Sequence, residues 1–301
     1  MKKIKEILVA SLILSVGGWA QGASYRTAFP DFPPEPYGAA LGGATVALAG
    51  NISSAYWNPG GVAFIEGKGV MAGGSKFQGW PIYTANFIYA QADQGYGAAA
   101  FTVDHMGLKA YDGEAKYQEN VIAYTWAKPL GSQIGIGVKA KLLIASSDIQ
   151  NVSANGMAVD VGVLFHRIFG IANLGFTAKD IASSVKWKTG RTEHLPIVFE
   201  GGLGTEPIFD RFSIFMSFRG EQGMGMSDLG VGAELWIVPD RLSLRFGLND
   251  RLLNNTMSMA GGLGLIIPMD IFSRYFVNYS FEMGQNIAGI QHRFALGLVW
   301  E

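Results

Sequence analysis

From residue 67 to the C terminus, the sequence repeats short segments in which apolar and polar side chains alternate. One such face carries large apolar residues and the opposite face carries polar ones: Phe212, Ile214, Met216 and Phe218 against Ser213, Ser217 and Arg219. Successive side chains of a strand point to opposite sides of its sheet, so this period of two predicts strands with one apolar and one polar face. About fourteen segments of strand length follow one another to the end of the chain.

These strands are predicted to form one closed sheet. After residue 23 the sequence holds no uninterrupted apolar run of the roughly 20 residues that a helix needs to cross a bilayer. Charged residues make up only 16% of the chain, while Gly reaches 41 residues and aromatics 12%, which suits a wall of strands with lipid outside it. Backbone groups in lipid must all be hydrogen-bonded, and strands achieve this only in a closed barrel. The sequence therefore predicts an all-β, closed antiparallel transmembrane barrel of about 14 strands.

The connections between segments differ at the two ends of the predicted barrel. Those after even-numbered segments are short, whereas several others are longer, notably residues 105–115 and 179–194. Short turns toward the periplasm and long loops outward are typical of bacterial outer-membrane barrels. An even number of strands then places both termini in the periplasm. Trp126, Trp236 and Trp300 fall near strand ends on that side, where interfacial Trp residues are expected.

The N-terminal part divides into two segments before the barrel at residues 67–301. Residues 1–23 combine Lys2, Lys3 and Lys5, an apolar run and small residues, which predicts a signal peptide cleaved between residues 20 and 23. A short membrane anchor is the alternative. Residues 24–66 lie outside the strand series and are predicted to form a plug, or hatch, in the barrel interior.

Composition and motifs argue against several other classes of function. A net charge of −1 provides no basic field for nucleic acid, and the absence of Cys excludes disulfides and a Cys nucleophile. The four histidines lack metal-ligand spacing, and no Gly-x-Ser-x-Gly motif occurs. Short Gly-x-Gly pairs at 135–137 and 202–204 lie within strands, where Gly permits a bend or a close backbone approach. We expect no cofactor, no metal and no enzymatic activity.

Charged residues within the strands are predicted to face the barrel interior. A charge that faces lipid at mid-depth costs about 2–4 kcal/mol, and alternation turns Arg219, Arg245 and Arg293 inward. We predict that they pair with interior carboxylates. The candidate carboxylates are Asp160, Glu234 and Glu282.

The sequence Asn58-Pro59-Gly60 is a strong turn signal within the N-terminal segment. Pro59 fixes its own φ and restrains Asn58, and the Asn58 side chain can bond its own backbone two residues on. The turn could order a hatch inside the barrel, or it could be a plain structural turn that only positions the segment.

Three patches in chain order resemble one family. They are residues 40–50 with Tyr56-Trp-Asn-Pro-Gly60, residues 185–190 with Glu193-His-Leu-Pro196, and residues 242–247 with the closing 291–297. Together they resemble the PorV/PorQ group of the FadL-like outer-membrane barrels, although Gly60 replaces the family's Ala. The resemblance implies fourteen strands and an N-terminal segment tucked into the lumen. FadL-like members pass hydrophobic molecules, and PorV-like members receive secreted proteins in type IX secretion.

The resemblance also implies partners. A barrel of this kind contacts outer-membrane lipid, and the barrel-assembly machinery reads its last strand, which here alternates from Phe294 to Trp300. Three other interpretations stay open: a structural or adhesive barrel with a sealed lumen, a soluble secreted β-protein whose apolar faces meet each other, and, least supported, an enzyme.

Overall fold

A computed structural model describes residues 28–29, 35–109, 116–149, 152–223, 225–251, 256–284 and 289–301. The predicted signal peptide at residues 1–23 lies outside the described residues. Two short α-helices, α1 (Pro36–Ala40) and α2 (Ser54–Trp57), and a 3-10 helix (Pro59–Phe64) precede the strands. No helix among the described residues has both the length and the apolar character needed to cross a membrane.

The strands follow in chain order. They are β1 (Lys68–Phe77), β2 (Ile82–Gln91), β3 (Ala98–Lys109), β4 (Lys116–Leu130), β5 (Ile134–Ser147), β6 (Ala154–Ile168), β7 (Ala172–Lys179), β8 (Ser184–Trp187), β9 (Thr192–Glu193), β10 (Val198–Thr205), β11 (Phe212–Glu221), β12 (Gly225–Val238), β13 (Leu242–Arg251), β14 (Thr256–Pro268), β15 (Ser273–Gly284) and β16 (Gln291–Trp300).

Fourteen of the strands form a closed antiparallel barrel, which confirms the predicted fold class. Each strand pairs with its neighbour in the order β1 to β7 and then β10 to β16. The ring closes because β16 pairs with β1 from Lys68↔Trp300 to Phe77↔Gln291. The remaining strands, β8 and β9, form a hairpin that attaches to β6.

The two long loops predicted from the sequence, residues 105–115 and 179–194, are shorter in the structure, so their predicted bounds are wrong. Strand β3 continues to Lys109 because its last residues pair with the start of β4, so the predicted loop 105–115 shortens. The predicted loop 179–194 contains β8 and β9, and Val185 of β8 is buried against the interior. The backbone of Ile181 still bonds Val159 of β6, so β8 resumes the pairing of β7 after a bulge. Strands of four and two residues are too short to give a periodic sequence signal.

The outer face of the barrel is apolar. In β11, Phe212, Ile214, Met216 and Phe218 are 38–48% exposed, whereas Ser213 between them is 2% exposed. Monomers in water rarely expose so large an apolar surface. A continuous apolar belt on a closed sheet is the surface expected of a barrel in lipid.

The two ends of the barrel are named here by their connections. The terminal end is where β1 begins and β16 ends, and the loop end is the opposite one. Trp126, Trp236 and Trp300 all lie near the terminal end, on β4, β12 and β16. Which end faces the periplasm stays a prediction.

Candidate functional site: the plug segment and the barrel interior

Residues 35–66, the plug segment, pack against opposite sides of the barrel interior. Helix α1 packs mainly on β14 and β15, whereas the 3-10 helix packs mainly on β4, β5 and β6. Those strands lie about half a turn of the ring apart. The segment therefore crosses the interior before it joins β1. That it closes the lumen stays a prediction.

The Asn58-Pro59-Gly60 turn attaches the plug segment to β6. The Asn58 side-chain oxygen accepts a hydrogen bond from the Gly60 backbone at 2.9 Å, and its amide donates to the carbonyls of Val46 at 2.7 Å and Val163 at 3.2 Å. The residue is fully buried, and all of these bonds keep its polar atoms satisfied. A Cβ at Gly60 would lie 2.8 Å from the Leu164 backbone nitrogen. This contact accounts for glycine at position 60.

A buried carboxylate that the sequence analysis missed holds the plug segment together. Glu35 accepts hydrogen bonds from the backbone of Tyr37 and Gly38 at 2.7 Å each, from Ser53 Oγ at 3.1 Å and from Trp57 Nε1 at 2.7 Å. It thereby caps α1 and ties it to α2. The only sequence signal was an acidic residue directly before Pro36, the first residue of the helix.

Inward-facing glycines let the plug backbone touch the barrel wall directly. These glycines form the glycine belt: Gly135, Gly137, Gly162, Gly175, Gly202, Gly230, Gly232 and Gly247. A Cβ at Gly230 would lie 2.8 Å from the Gly42 carbonyl, and one at Gly232 would lie 2.6 Å from the Leu41 carbonyl. Added Cβ atoms at Gly175 and Gly247 would collide with the backbone of Val46 and Gly42. The belt spans β5, β6, β7, β10, β12 and β13, so close packing fixes the plug segment on that side of the barrel.

Two of the predicted interior arginines contact predicted carboxylates. Arg245 Nε lies 2.8 Å from Glu234 Oε1, and Arg293 Nη2 lies 2.8 Å from Glu282 Oε2. Arg245 also donates to the Asn278 side chain at 2.8 Å, and its guanidinium stacks 4.1 Å from the centroid of the Tyr37 ring. The Arg245–Glu234 pair thus meets α1 of the plug segment.

Tyr37 completes this contact. Its hydroxyl donates to Glu234 at 2.9 Å. Burial, together with the negative charge of Glu234, raises the pKa of the Tyr37 phenol well above its ordinary value. The phenol therefore stays protonated and remains a donor.

The other predicted charges have partners that the sequence analysis did not name. Arg219 lies 3.2 Å from Glu200, and Asp160 lies 2.6 Å from Lys141, which also contacts Asp180 at 2.6 Å. Strand alternation predicts that these side chains face inward, but it carries no information on which strands become neighbours. A role of these charges in function stays a prediction.

Two lysines surround helix α2. Lys139 Nζ donates to the Ala55 carbonyl at 3.0 Å and lies 5.4 Å from the centroid of the Tyr56 ring. Lys179 Nζ lies 5.7 Å from the ring centroids of Tyr56 and Trp57. Such cation–π contacts strengthen where water is excluded. Both lysines therefore help to hold α2 against the barrel wall.

Two apolar clusters lie in the interior, one toward the terminal end and one toward the loop end of the barrel. The terminal-end cluster packs plug residues against β1–β4 and β16: Ile52, Ala55, Val62, Ala63 and Ile65 with Met71, Ile88, Ala90, Ala98, Ala100, Ala127 and Ala295. The loop-end cluster lines the interior at the other end: Ala28, Phe29, Ile82, Leu108, Tyr117, Leu143, Ala145, Ala154, Ala158, Val185 and Leu195. Within it, the Phe29 backbone donates to Glu119 at 3.0 Å. The mature N terminus, which the sequence predicts to be periplasmic, lies outside the described residues.

A groove of about 930 Å³ lies in the wall beside the bulge that precedes β8. Exposed side chains of β3 to β6 line it on one side, and the bulge and the start of β10 line it on the other. Its apolar lining includes Phe101, Tyr124, Leu142, Met157, Ile181 and Ile197. Lys141 and Asp180 lie at the same groove, so an apolar surface here meets the charged interior layer.

The described residues contain no group of three or more His, Asp or Glu side chains placed to hold a metal ion. The described interior is made of apolar packing, hydrogen bonds and ion pairs.

No protein-family model and no curated protein sequence matches the chain. Solved structures do. The chain is similar to a FadL homologue of Pseudomonas aeruginosa (TM-score 0.62, 11% identity, 89% of this chain and 98% of that one). It is also similar to the toluene transporters TbuX of Ralstonia pickettii (0.60, 10%, 89% and 98%) and TodX of Pseudomonas putida (0.59, 11%, 90% and 99%). These neighbours are transport proteins rather than enzymes, and the chain has the fold of the FadL-like barrels.

Proposed function

We propose that the chain is an outer-membrane channel that passes small hydrophobic molecules through its barrel, beside the plug segment. The observation that carries the proposal is the loop-end cluster. Interiors of membrane barrels are ordinarily polar, yet here buried apolar side chains from six strands form a cluster at the loop end of the interior. An apolar surface of this kind binds hydrophobic molecules, because contact with it removes their apolar surface from water.

The wall groove supports the same function. Apolar side chains of the outer face line this groove together with Lys141 and Asp180, which belong to the interior. A hydrophobic molecule that leaves the barrel here would meet lipid rather than water. The similar solved structures include proteins named as toluene transporters, which accords with a small hydrophobic solute.

The location follows from the same features. An apolar outer belt on a closed sheet belongs in a lipid bilayer, and barrels of this kind lie in the bacterial outer membrane. Short connections at the terminal end favour a periplasmic position for that end. In this location the protein would contact outer-membrane lipid and, during insertion, the barrel-assembly machinery.

A PorV/PorQ identity with secreted cargo is the second candidate. The residues that resemble the group form the plug turn at 56–60 and the β8–β9 hairpin at 185–190. Lys186, Lys188 and Arg191 of that hairpin are exposed. An exposed basic hairpin at the loop end could contact a secreted protein, whereas the loop-end cluster favours a small solute.

Uptake of radiolabelled toluene tests the proposal. Cells that carry the full chain in the outer membrane are expected to take up toluene faster than vector-only cells. The variant Leu143→Gln adds an amide to the loop-end cluster and is expected to lower the added uptake about tenfold, since burying an unpaired amide costs on the order of 1–3 kcal/mol. Lys188→Gln, on the exposed hairpin, serves as the control and should keep the wild-type rate.

Uptake equal to that of vector-only cells, with the barrel folded in the membrane, would contradict the proposal. A null conductance in planar bilayers would then favour the sealed barrel. Binding of a secreted protein that is lost on substitution of Lys186 and Lys188 would favour the cargo function.

A further inference from the structure

Two threonine hydroxyls on the inner face of the wall have no hydrogen-bond partner among the residues that the structure describes. They belong to Thr102 of β3 and Thr125 of β4, and both side chains are fully buried. The side-chain amide of Asn86 on β2 is 4% exposed, and neither its oxygen nor its nitrogen has a partner. By contrast, Thr177 on β7 donates to the Val161 carbonyl at 2.8 Å. A buried polar group without a partner is destabilising, and native structures keep few of them.

The hydroxyls lie at the boundary between the two apolar clusters. Thr102 stands opposite Ile88, and Thr125 stands opposite Ala100; both partners belong to the terminal-end cluster. Toward the loop end the same two strands carry Leu108 and Tyr117 of the loop-end cluster. The two threonines are diagonal neighbours, roughly 7–8 Å apart. The hydroxyls therefore lie between the loop-end cluster and the terminal-end cluster.

The plug segment covers this place in the present structure. Lys139 stands opposite Thr125 and bonds the Ala55 carbonyl of α2. The glycine belt fixes the plug on β5–β7, β10, β12 and β13, whereas its contacts with β1–β4 are made by side chains of the terminal-end cluster. Helix α2 contacts β3, and the 3-10 helix contacts both β3 and β4. A solute reaches the hydroxyls when this part of the plug segment moves away from β3 and β4.

We infer that Thr102 and Thr125, with Asn86 beside them, bind the polar group of a solute. This inference rests on the proposed channel function and narrows its substrate class to small apolar molecules that carry one uncharged hydroxyl or carbonyl group. A hydroxyl or amide can both donate to and accept from such a group. The register places one charge of each sign beside the site, Lys139 opposite Thr125 and Asp104 opposite Asn86, which suits an uncharged polar group.

Toluene and p-cresol form a matched pair of probes because they differ by one hydroxyl group. After subtraction of vector-only uptake, cells with the wild-type chain are expected to take up p-cresol about threefold to tenfold faster than toluene, the range that one net hydrogen bond supplies. In the double variant Thr102→Val, Thr125→Val the ratio is expected to fall to about one. Thr177→Val removes a hydroxyl that already has a partner, and it should leave the ratio at the wild-type value.

A second variant keeps the test valid if the double variant does not fold. Thr102→Ser retains the hydroxyl and should retain the preference, whereas Thr102→Val alone should lower it. Equal uptake of the two probes by the wild type, or a ratio unchanged by the valines, would overturn the inference and mean that only water meets these hydroxyls. Uptake of neither probe would overturn the proposed channel as well, so the two failures are distinguishable.

Discussion

Replacing Gly175 with valine is expected to dislodge the plug segment while the barrel stays closed. Gly175 lies on β7 with its inner side against the Val46 backbone, and any Cβ there would collide with that carbonyl. Overpacking a tight contact costs about 1–3 kcal/mol, and here the opposing atom is backbone that cannot turn aside. The strand bonds of β7 to β6 and β10 do not depend on this side chain. The result is read as single-channel conductance, which should rise several-fold above wild type.

The matched control is Gly261→Val on β14. Gly261 faces outward. A Cβ there would lie 2.9 Å from the Phe281 ring and at an ordinary contact distance of 3.8 Å from the Arg245 carbonyl. That ring is an aromatic side chain that can turn. The control should keep wild-type conductance and the resistance of residues 35–66 to protease. If Gly175→Val left both properties unchanged, the glycine belt would not hold the plug segment.

Replacing Arg245 with leucine is expected to give the largest loss of stability. Arg245 is 3% exposed, and its partner Glu234 is 4% exposed. Removing one member of a buried ion pair leaves an uncompensated charge, which costs about 3–5 kcal/mol. The Asn278 and Tyr37 contacts of the guanidinium are lost as well. Urea unfolding in lipid vesicles, followed by the heat-modified mobility of the barrel, measures the change.

A double variant separates the charge from the packing. Arg245→Leu combined with Glu234→Gln removes both charges and should regain most of the lost stability, because neighbouring residues of one network do not behave additively. The phenol of Tyr37 can still donate to the amide oxygen of Gln. Wild-type stability in Arg245→Leu alone would show that the pair carries little weight.

The barrel itself could be predicted because its signal is local. Lipid outside and a polar interior impose a period of two on every strand, as in Phe212–Phe218, and this period survives without knowledge of any partner strand. Pairing is not local in the same way. The side chain of Arg219 was expected to face inward, but its contact with Glu200 depends on β10 lying beside β11.

The plug segment was harder to derive for the same reason. The strand glycines at 135–137 and 202–204 indicated a bend or a close backbone approach, yet the backbone that approaches them lies far away in sequence, at Pro59–Gly60 and near Val46. Glu35 gave no signal beyond its place before Pro36. Strands β8 and β9 were not predicted, because strands of four and two residues are too short to show the alternation of apolar and polar side chains.

Spin-label accessibility along β11 tests the central claim most directly. The chain has no cysteine, so a single Cys can be placed at each position from Phe212 to Arg219 and labelled in lipid vesicles. High collision rates with molecular oxygen are expected at 212, 214, 216 and 218, and low rates at 213, 215, 217 and 219. Uniform access of a water-soluble nickel complex to all eight positions would contradict the central claim.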